Sequence, residues 1–481
     1  MTLNQLEPIN VWKHFAALNA IPRASKKEAK VCEHIIELAK KYALNYKQDE
    51  IGNIVIYKPG QGNAAHKEPI ALQAHLDMVH QKNSDVVFDF DSEGIQMVID
   101  GEWVKANGTT LGADNGIGVA NLLALLDEKQ LNHPPLELLF TIDEEAGMTG
   151  AKNLGKDLLM AKRLINLDTE DEDEITIGCA GGIDTFGQLS YTPESVTENT
   201  KSYFISVSGL KGGHSGMDIH LGRGNAVKIL NRLLWDTFHN FGLRINSINA
   251  GGLRNAIPRE GFASVAIEIT RISQFENHFT ELSNAIISEL EIAEPNLKIQ
   301  LESTANVNHV MPISVQVNML RSVYCIPNGV FRMSDNIKGL VETSNNLARW
   351  IVKDGEIRIE CLQRSSIESA KKDIANQVSA ALASMNCKIE QKGDYPGWKP
   401  NTNSELLKFT QETFFKFYRK EPIISAVHAG LECGIIQSHY PDLDMVSIGP
   451  NIRNAHAPDE KVEIASVSKV WRFLNELLDK I

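Results

Sequence analysis

Short apolar runs alternate with helix-spaced segments over roughly the first 185 residues, the pattern of an α/β sheet. Helices are predicted over Trp12 to Asn19, Lys26 to Tyr42 and Asn115 to Asp127, the last opening at Asp114. Strands are predicted over Ile54 to Tyr57, Ile70 to Ala74, Leu136 to Ile142 and Arg163 to Leu167. Leu136 to Ile142 and Arg163 to Leu167 are continuous rather than alternating, which suits a mostly parallel sheet covered on both faces.

Beyond Gly187 the spacing changes. Tyr203 to Val207 and Phe262 to Thr270 alternate as half-buried strands, and Asn225 to Thr237 and Phe275 to Leu290 carry helical spacing. A similar order returns, with helices over Ser314 to Val323 and Ser344 to Ala348, a strand over Glu356 to Leu362 and a helix over Ser366 to Ala383. From Gly397 the first style resumes, with a helix over Glu405 to Tyr418, a strand over Met445 to Ile448 and a closing helix over Ser466 to Leu478. The expected architecture is an α/β domain of residues 1–186 and 397–481, interrupted by an α+β domain of residues 187–396 built as two related halves.

Several predicted strands run into acidic or imidazole side chains. Ile70 to Ala74 leads to His75 and Asp77, Leu136 to Ile142 to Asp143-Glu144-Glu145, and Arg163 to Leu167 to Asp168. Met445 to Ile448 leads through a Gly-Pro loop to His456, and Asp114 stands at the head of its helix. Open α/β sheets bind ligands at the carboxyl ends of their strands, so these side chains converge if the strands are parallel. Two imidazoles and three carboxylates suit Zn²⁺ and also accommodate Mn²⁺ or Co²⁺. His75 and Asp77 share a strand face, so Asp77 can orient the imidazole. In Glu144-Glu145 one carboxylate can ligate while the other serves as general base. Taken singly, an Asp before a helix is an ordinary cap and an acidic pair an ordinary solvated face. The joint pattern carries the reading.

The chain has 481 residues, with 48 Lys plus Arg against 61 Asp plus Glu. A net charge of −13 argues against a general nucleic-acid binder. Neither a dinucleotide fingerprint nor a P-loop follows a strand, so a nucleotide cofactor is disfavoured. The six cysteines form no CxxC pair, no apolar run approaches the ~20 residues of a membrane span, and Met1 to Glu7 lacks a signal pattern. A cytoplasmic protein is expected. In the inserted domain, the glycine-rich stretch Gly209 to Gly216 can present His214 to a developing oxyanion.

Together these segments resemble the M20 metallopeptidases. The likeness rests on Ala74-His75-Leu76-Asp77, Gly112-Ala113-Asp114-Asn115-Gly116, Asp143-Glu144-Glu145, Asn166-Leu167-Asp168, Gly212-Gly213-His214-Ser215-Gly216 and Asn454-Ala455-His456. It implies a metal-binding domain interrupted by a lid that dimerises, and the long insertion resembles the dipeptidase branch. His75 and Asp168 would hold one metal, Glu145 and His456 the other, and Asp114 would bridge them. Glu144 would be the base, Asp77 the partner of His75, and His214 would complete the site from the lid. Asn255 and Arg364 would contact substrate. The implied activity is dinuclear, metal-dependent hydrolysis of dipeptides, Xaa-His among them, with broad side-chain tolerance. N-acyl deacylation, carboxypeptidase action and a non-catalytic metal-binding role stay open on the sequence.

Overall fold

The computed structural model describes residues 3–481, which form two compact units. The first comprises residues 3–178, 398–426 and 431–481, and the second residues 179–397 and 427–430.

The first unit is built on an eight-stranded sheet. Its centre is four strands: β1 (Ile70–His75), β2 (Leu136–Thr141), β3 (Arg163–Asn166) and β4 (Asp444–Ser447). They lie in the order β2-β1-β3-β4 and run parallel. The flanking strands are antiparallel where Ile54–Lys58 meets β2 and where Glu174–Cys179 meets β4, so the sheet is mixed around a parallel centre. Every residue of β1 and β2 is buried, as expected for strands covered on both faces. Helix α1 (Ala113–Asp127) is apolar nearly all round and buried from Asn115 to Leu126. Its first residues depart from helical geometry: Asp114 and Asn115 have non-helical backbone angles, and regular helix begins after them.

The second unit is a nine-stranded antiparallel sheet packed with helices Ala226–Phe241, Ile272–Leu290, Ile313–Cys325 and Glu368–Ala383. One apolar core, with Tyr203, Leu230, Phe275, Leu320, Trp350 and Leu382 among its members, runs through it. Residues Ser344 to Ala348, expected as a helix, lie instead in the strand Val341–Lys353 at the middle of this sheet. The run Glu342 to Asn346 is polar yet buried, because its side chains find cross-strand partners. Thr343 bonds Ser365, Gln363 donates to Asn345, and Asn346 donates to the carbonyls of Arg254 and Ala256. A polar run shows no period by which to tell helix from buried strand. The two halves expected there share this single sheet.

No helix among the described residues is long and apolar enough to cross a membrane.

Candidate functional site

Because β1 and β3 are parallel neighbours, His75 and Asp168 leave the sheet at the same edge. His75 Nε2 lies 3.5 Å from Asp168 Oδ1 and 3.1 Å from Asp114 Oδ1. The other oxygen of Asp114, Oδ2, lies 3.0 Å from His456 Nε2, which is 3.1 Å from Glu145 Oε2. Asp114 thus stands between His75 with Asp168 on one side and His456 with Glu145 on the other. On the far face of the first imidazole, His75 Nδ1 is 3.3 Å from Asp77 Oδ1.

Glu144 and Glu145 were expected as strand-end residues. They occupy the first turn of a short helix, Glu144–Gly147, entered through Asp143 in the left-handed region. Asp77 fixes this turn as well as the imidazole: Oδ1 accepts from the Glu144 amide (2.9 Å) and Oδ2 from that of Glu145 (3.1 Å). Asn115 donates both to Asp168 and to the Leu167 carbonyl, which holds the Asp168 carboxylate in place.

Electrostatics follow from crowding. Burial opposes a charged imidazole at His75, but Asp168, Asp114 and Asp77 outweigh it, so its pKa lies well above the usual value. Hydrogen bonds to Asp114 and Glu145 raise His456 to about 11. Burial and the Asp114 charge push Glu145 up to about 7. Burial, reinforced by Glu145 and Asp168, raises Glu144 well above its ordinary value. Asp114 is held low by its two imidazole partners despite burial.

The donor set fits a pair of cations. Asp77, Asp114, Glu144, Glu145 and Asp168 crowd around only two imidazoles, and such an excess of buried negative charge is costly without a cation. Glu145 Oε1 is buried with no hydrogen-bond partner. Ligand atoms of His75, Asp114 and Glu145 lie within 4.8 Å of one another.

The model of peptidase family M20/M25/M40 matches residues 71–480. The chain belongs to this family. It is 44% identical over 479 residues to the cytosol non-specific dipeptidase of Escherichia coli, covering 100% of this chain and 99% of that protein. It is also similar to the crystal structure of aminoacylhistidine dipeptidase from Vibrio alginolyticus. There the TM-score is 0.93 at 40% identity, with 100% of this chain and 98% of the other covered. Aminopeptidase PepT from Bacillus cereus shares the fold, at TM-score 0.57 and 15% identity over 99% of each chain.

The second unit of this M20 chain carries His214, Asn255 and Arg364. The strand-like bridge between His214 and Ala256 sets the loops of His214 and Asn255 side by side, and the Ser215 amide donates to the Asn255 carbonyl (2.8 Å). His214 Nδ1 accepts from the amides of Met217 (3.0 Å) and Gly216 (3.3 Å), so in the neutral ring the proton sits on Nε2. Asn255 is exposed. Arg364 is only 5% exposed, against the ordinary reading of a surface arginine, and donates to Tyr395 (2.9 Å). Nearby, burial together with Arg364 and His214 lowers His428 to about 3, and its Nε2 is 2.7 Å from Ser344 Oγ.

Sequence reasoning gave no role to the side chains of five buried polar residues of the first unit. Gln73 and Thr141 donate to Glu432, whose pKa burial raises to about 8, while Arg23 and Glu460 grip the turn before Asp114. The available signals were a Gln inside an apolar strand and a carboxylate four residues after His456.

Proposed function

We propose that this chain hydrolyses dipeptides with two divalent cations held by its first unit. The observation that carries the reading is the meeting of His75, Asp114, Glu145, Asp168 and His456, from five separate segments, at one end of the parallel strands. The full-length likeness to two dipeptidases supports the substrate class over N-acyl amino acids or longer peptides. His75 and Asp168 would hold one cation, Glu145 and His456 the other, with Asp114 shared. Bound there, the cations would polarise the scissile carbonyl and bring the pKa of water toward ~7.

The chain's own groups do the rest. Glu144 takes a proton from the attacking water at its carboxylate and returns it to the leaving amine. Its burial favours the neutral carboxyl that must make this second transfer. Asp77 keeps His75 oriented and the Glu144 turn in place. His214, a donor through Nε2, stabilises the oxyanion, while Arg364 binds the substrate carboxylate and Asn255 a neighbouring polar group.

Zn²⁺ is the proposed metal, since a mixed imidazole and carboxylate set suits it, with Mn²⁺ and Co²⁺ accommodated. Xaa-His substrates are included because the Vibrio relative is an aminoacylhistidine dipeptidase. A cytoplasmic setting agrees with the name of the Escherichia coli relative and with six cysteines that form no disulfide. Homodimerisation is assigned to the second unit. Phe204 and Phe262 stack on its sheet, ring centroids 5.8 Å apart, beside a groove of about 630 Å³ that Ile351 also lines. Sedimentation tests that assignment.

The activity is tested with metal-stripped protein, Zn²⁺, Mn²⁺ or Co²⁺ added back, on Ala-Ala, Xaa-His and N-acetyl amino acids. Metal-restored cleavage of the dipeptides alone is expected. Cleavage of only the acetylated compounds would overturn the substrate class, and no cleavage with any metal would overturn the enzyme reading.

A further inference from the structure

The turn Leu111–Asp114 delivers the shared carboxylate, and two buried charged side chains from distant segments clamp it. Glu460 is 2% exposed and accepts four consecutive backbone amides. Its Oε2 takes those of Leu111 (2.8 Å) and Gly112 (2.9 Å), and its Oε1 those of Ala113 (2.7 Å) and Asp114 (3.2 Å). Arg23 is 1% exposed and donates to the carbonyl of Gly112 (2.6 Å) in the same turn. It also donates to the carbonyls of Leu76 (3.0 Å) and Asp77 (3.2 Å). Gly112 has a φ of +69°, and a Cβ there would lie 2.5 Å from the Arg23 guanidinium, so only glycine lets the clamp close.

Each clamp ties the turn to one of the two imidazoles. Arg23 joins it to the segment that carries His75 and Asp77. Glu460 joins it to the loop of His456, four residues back, through a turn in which the Glu460 amide donates to the Ala457 carbonyl (2.9 Å). A carboxylate that must serve two cations tolerates little displacement toward either. Bonds to backbone amides fix position more firmly than packing alone, because a buried amide left without an acceptor is costly.

We propose that Glu460 is the positioning residue that keeps Asp114 centred between the His75 and His456 ligand sets, acting together with Arg23, which holds the Gly112 carbonyl of the same turn. The proposal rests on the metal-dependent reading above. The Glu460 carboxylate is taken up by four backbone amides of the turn, so it acts through Asp114. Its carboxylate is suited to the task because all of its bonds here are to donors. An amide in its place would turn an N–H₂ group toward backbone N–H groups.

The test compares wild type with Glu460→Gln and Glu460→Asp by calorimetric titration of metal-stripped protein with Co²⁺, alongside circular dichroism and kcat and KM for a dipeptide. Wild type that binds no Co²⁺ refutes the metal reading itself. Given two sites in wild type, Glu460→Gln is expected to be folded, to lose about tenfold or more in affinity at one or both sites, and to lose kcat with KM little changed. Glu460→Asp keeps the charge and should recover part of both losses. If Glu460→Gln does not fold, Glu460→Asp alone carries the test and should show an intermediate loss of affinity. Unchanged Co²⁺ affinities in a folded variant would overturn the proposal. If neither variant folds, the residue serves stability and the proposal fails as well.

Discussion

The two units use polar side chains in opposite ways. In the first, the parallel strands are mainly apolar, with Gln73, Glu137 and Thr141 as buried exceptions, and the candidate metal-binding side chains His75 and Asp168 gather at or just beyond strand ends. In the second, polar side chains are built into the strands themselves, as at Thr343 to Asn346 and Gln363 to Ser365. Parallel packing collects strand ends at one edge and makes a focus for charge. An antiparallel sheet has no such edge, and its candidate residues are spread over the loops of His214 and Asn255 and the strand of Arg364. The difference teaches where to look: after apolar runs in one architecture, within polar ones in the other. It also makes a prediction, that substitutions of the proposed ligands and their partner Asp77 in the first unit disturb metal binding, while those of His214 and Arg364 in the second leave it intact.

The largest effect is expected at Glu144, which shapes turnover without being a ligand. Glu144→Ala should cut kcat by at least the ~10²–10⁴ typical of a lost general base while keeping both metals. Near-normal turnover in metal-replete mutant protein would remove the base assignment. Next is His214→Ala, for which kcat should drop by roughly 10²–10³, the usual cost of an oxyanion donor, with metal content unchanged by elemental analysis. Reduced metal content there would break the contrast between the units. Asp77→Asn should weaken metal binding about 10–100-fold by releasing His75 and the Glu144 turn. Equal metal retention by Asp77→Asn and wild type during chelator dialysis would contradict this.

The raised pKa values sharpen the same contrast. His456, raised to about 11 by Asp114 and Glu145, and His75, also raised, hold protons at neutral pH in metal-free protein. A cation must displace those protons, so affinity should rise with pH, by about tenfold per unit for each proton released. Calorimetry in buffers of different ionisation enthalpy reads the proton count, and a pH-independent affinity would refute the account. The smallest effect is assigned to Arg364→Lys. It keeps the charge and loses the planar fork, and should raise KM by roughly tenfold with metal affinity unaltered.

Much of the first unit is legible in the sequence. His75 and Asp168 each follow an apolar run long enough to be a buried strand, so strand direction alone brought them together. The helix Glu405–Tyr418 was equally plain from its apolar spacing, and in the structure Ser404 caps it. The clamp was not legible. Glu460 bonds to backbone 346 to 349 residues away, and backbone groups leave no trace in residue identity. The helical turn at Glu144 was hidden by the acidic run itself, since successive carboxylates carry no apolar period. The strand Val341–Lys353 was misread for a related reason: its buried Ser and Asn are satisfied by partners that only the folded sheet supplies.

The central claim is that five side chains from distant segments form one binding site for a pair of divalent cations. Calorimetric titration of metal-stripped wild type with Zn²⁺, followed by dipeptide turnover at each step, tests it most directly. The account predicts two equivalents bound, with turnover returning as they fill. Binding of no metal, or full turnover in protein shown by elemental analysis to be metal-free, would contradict it.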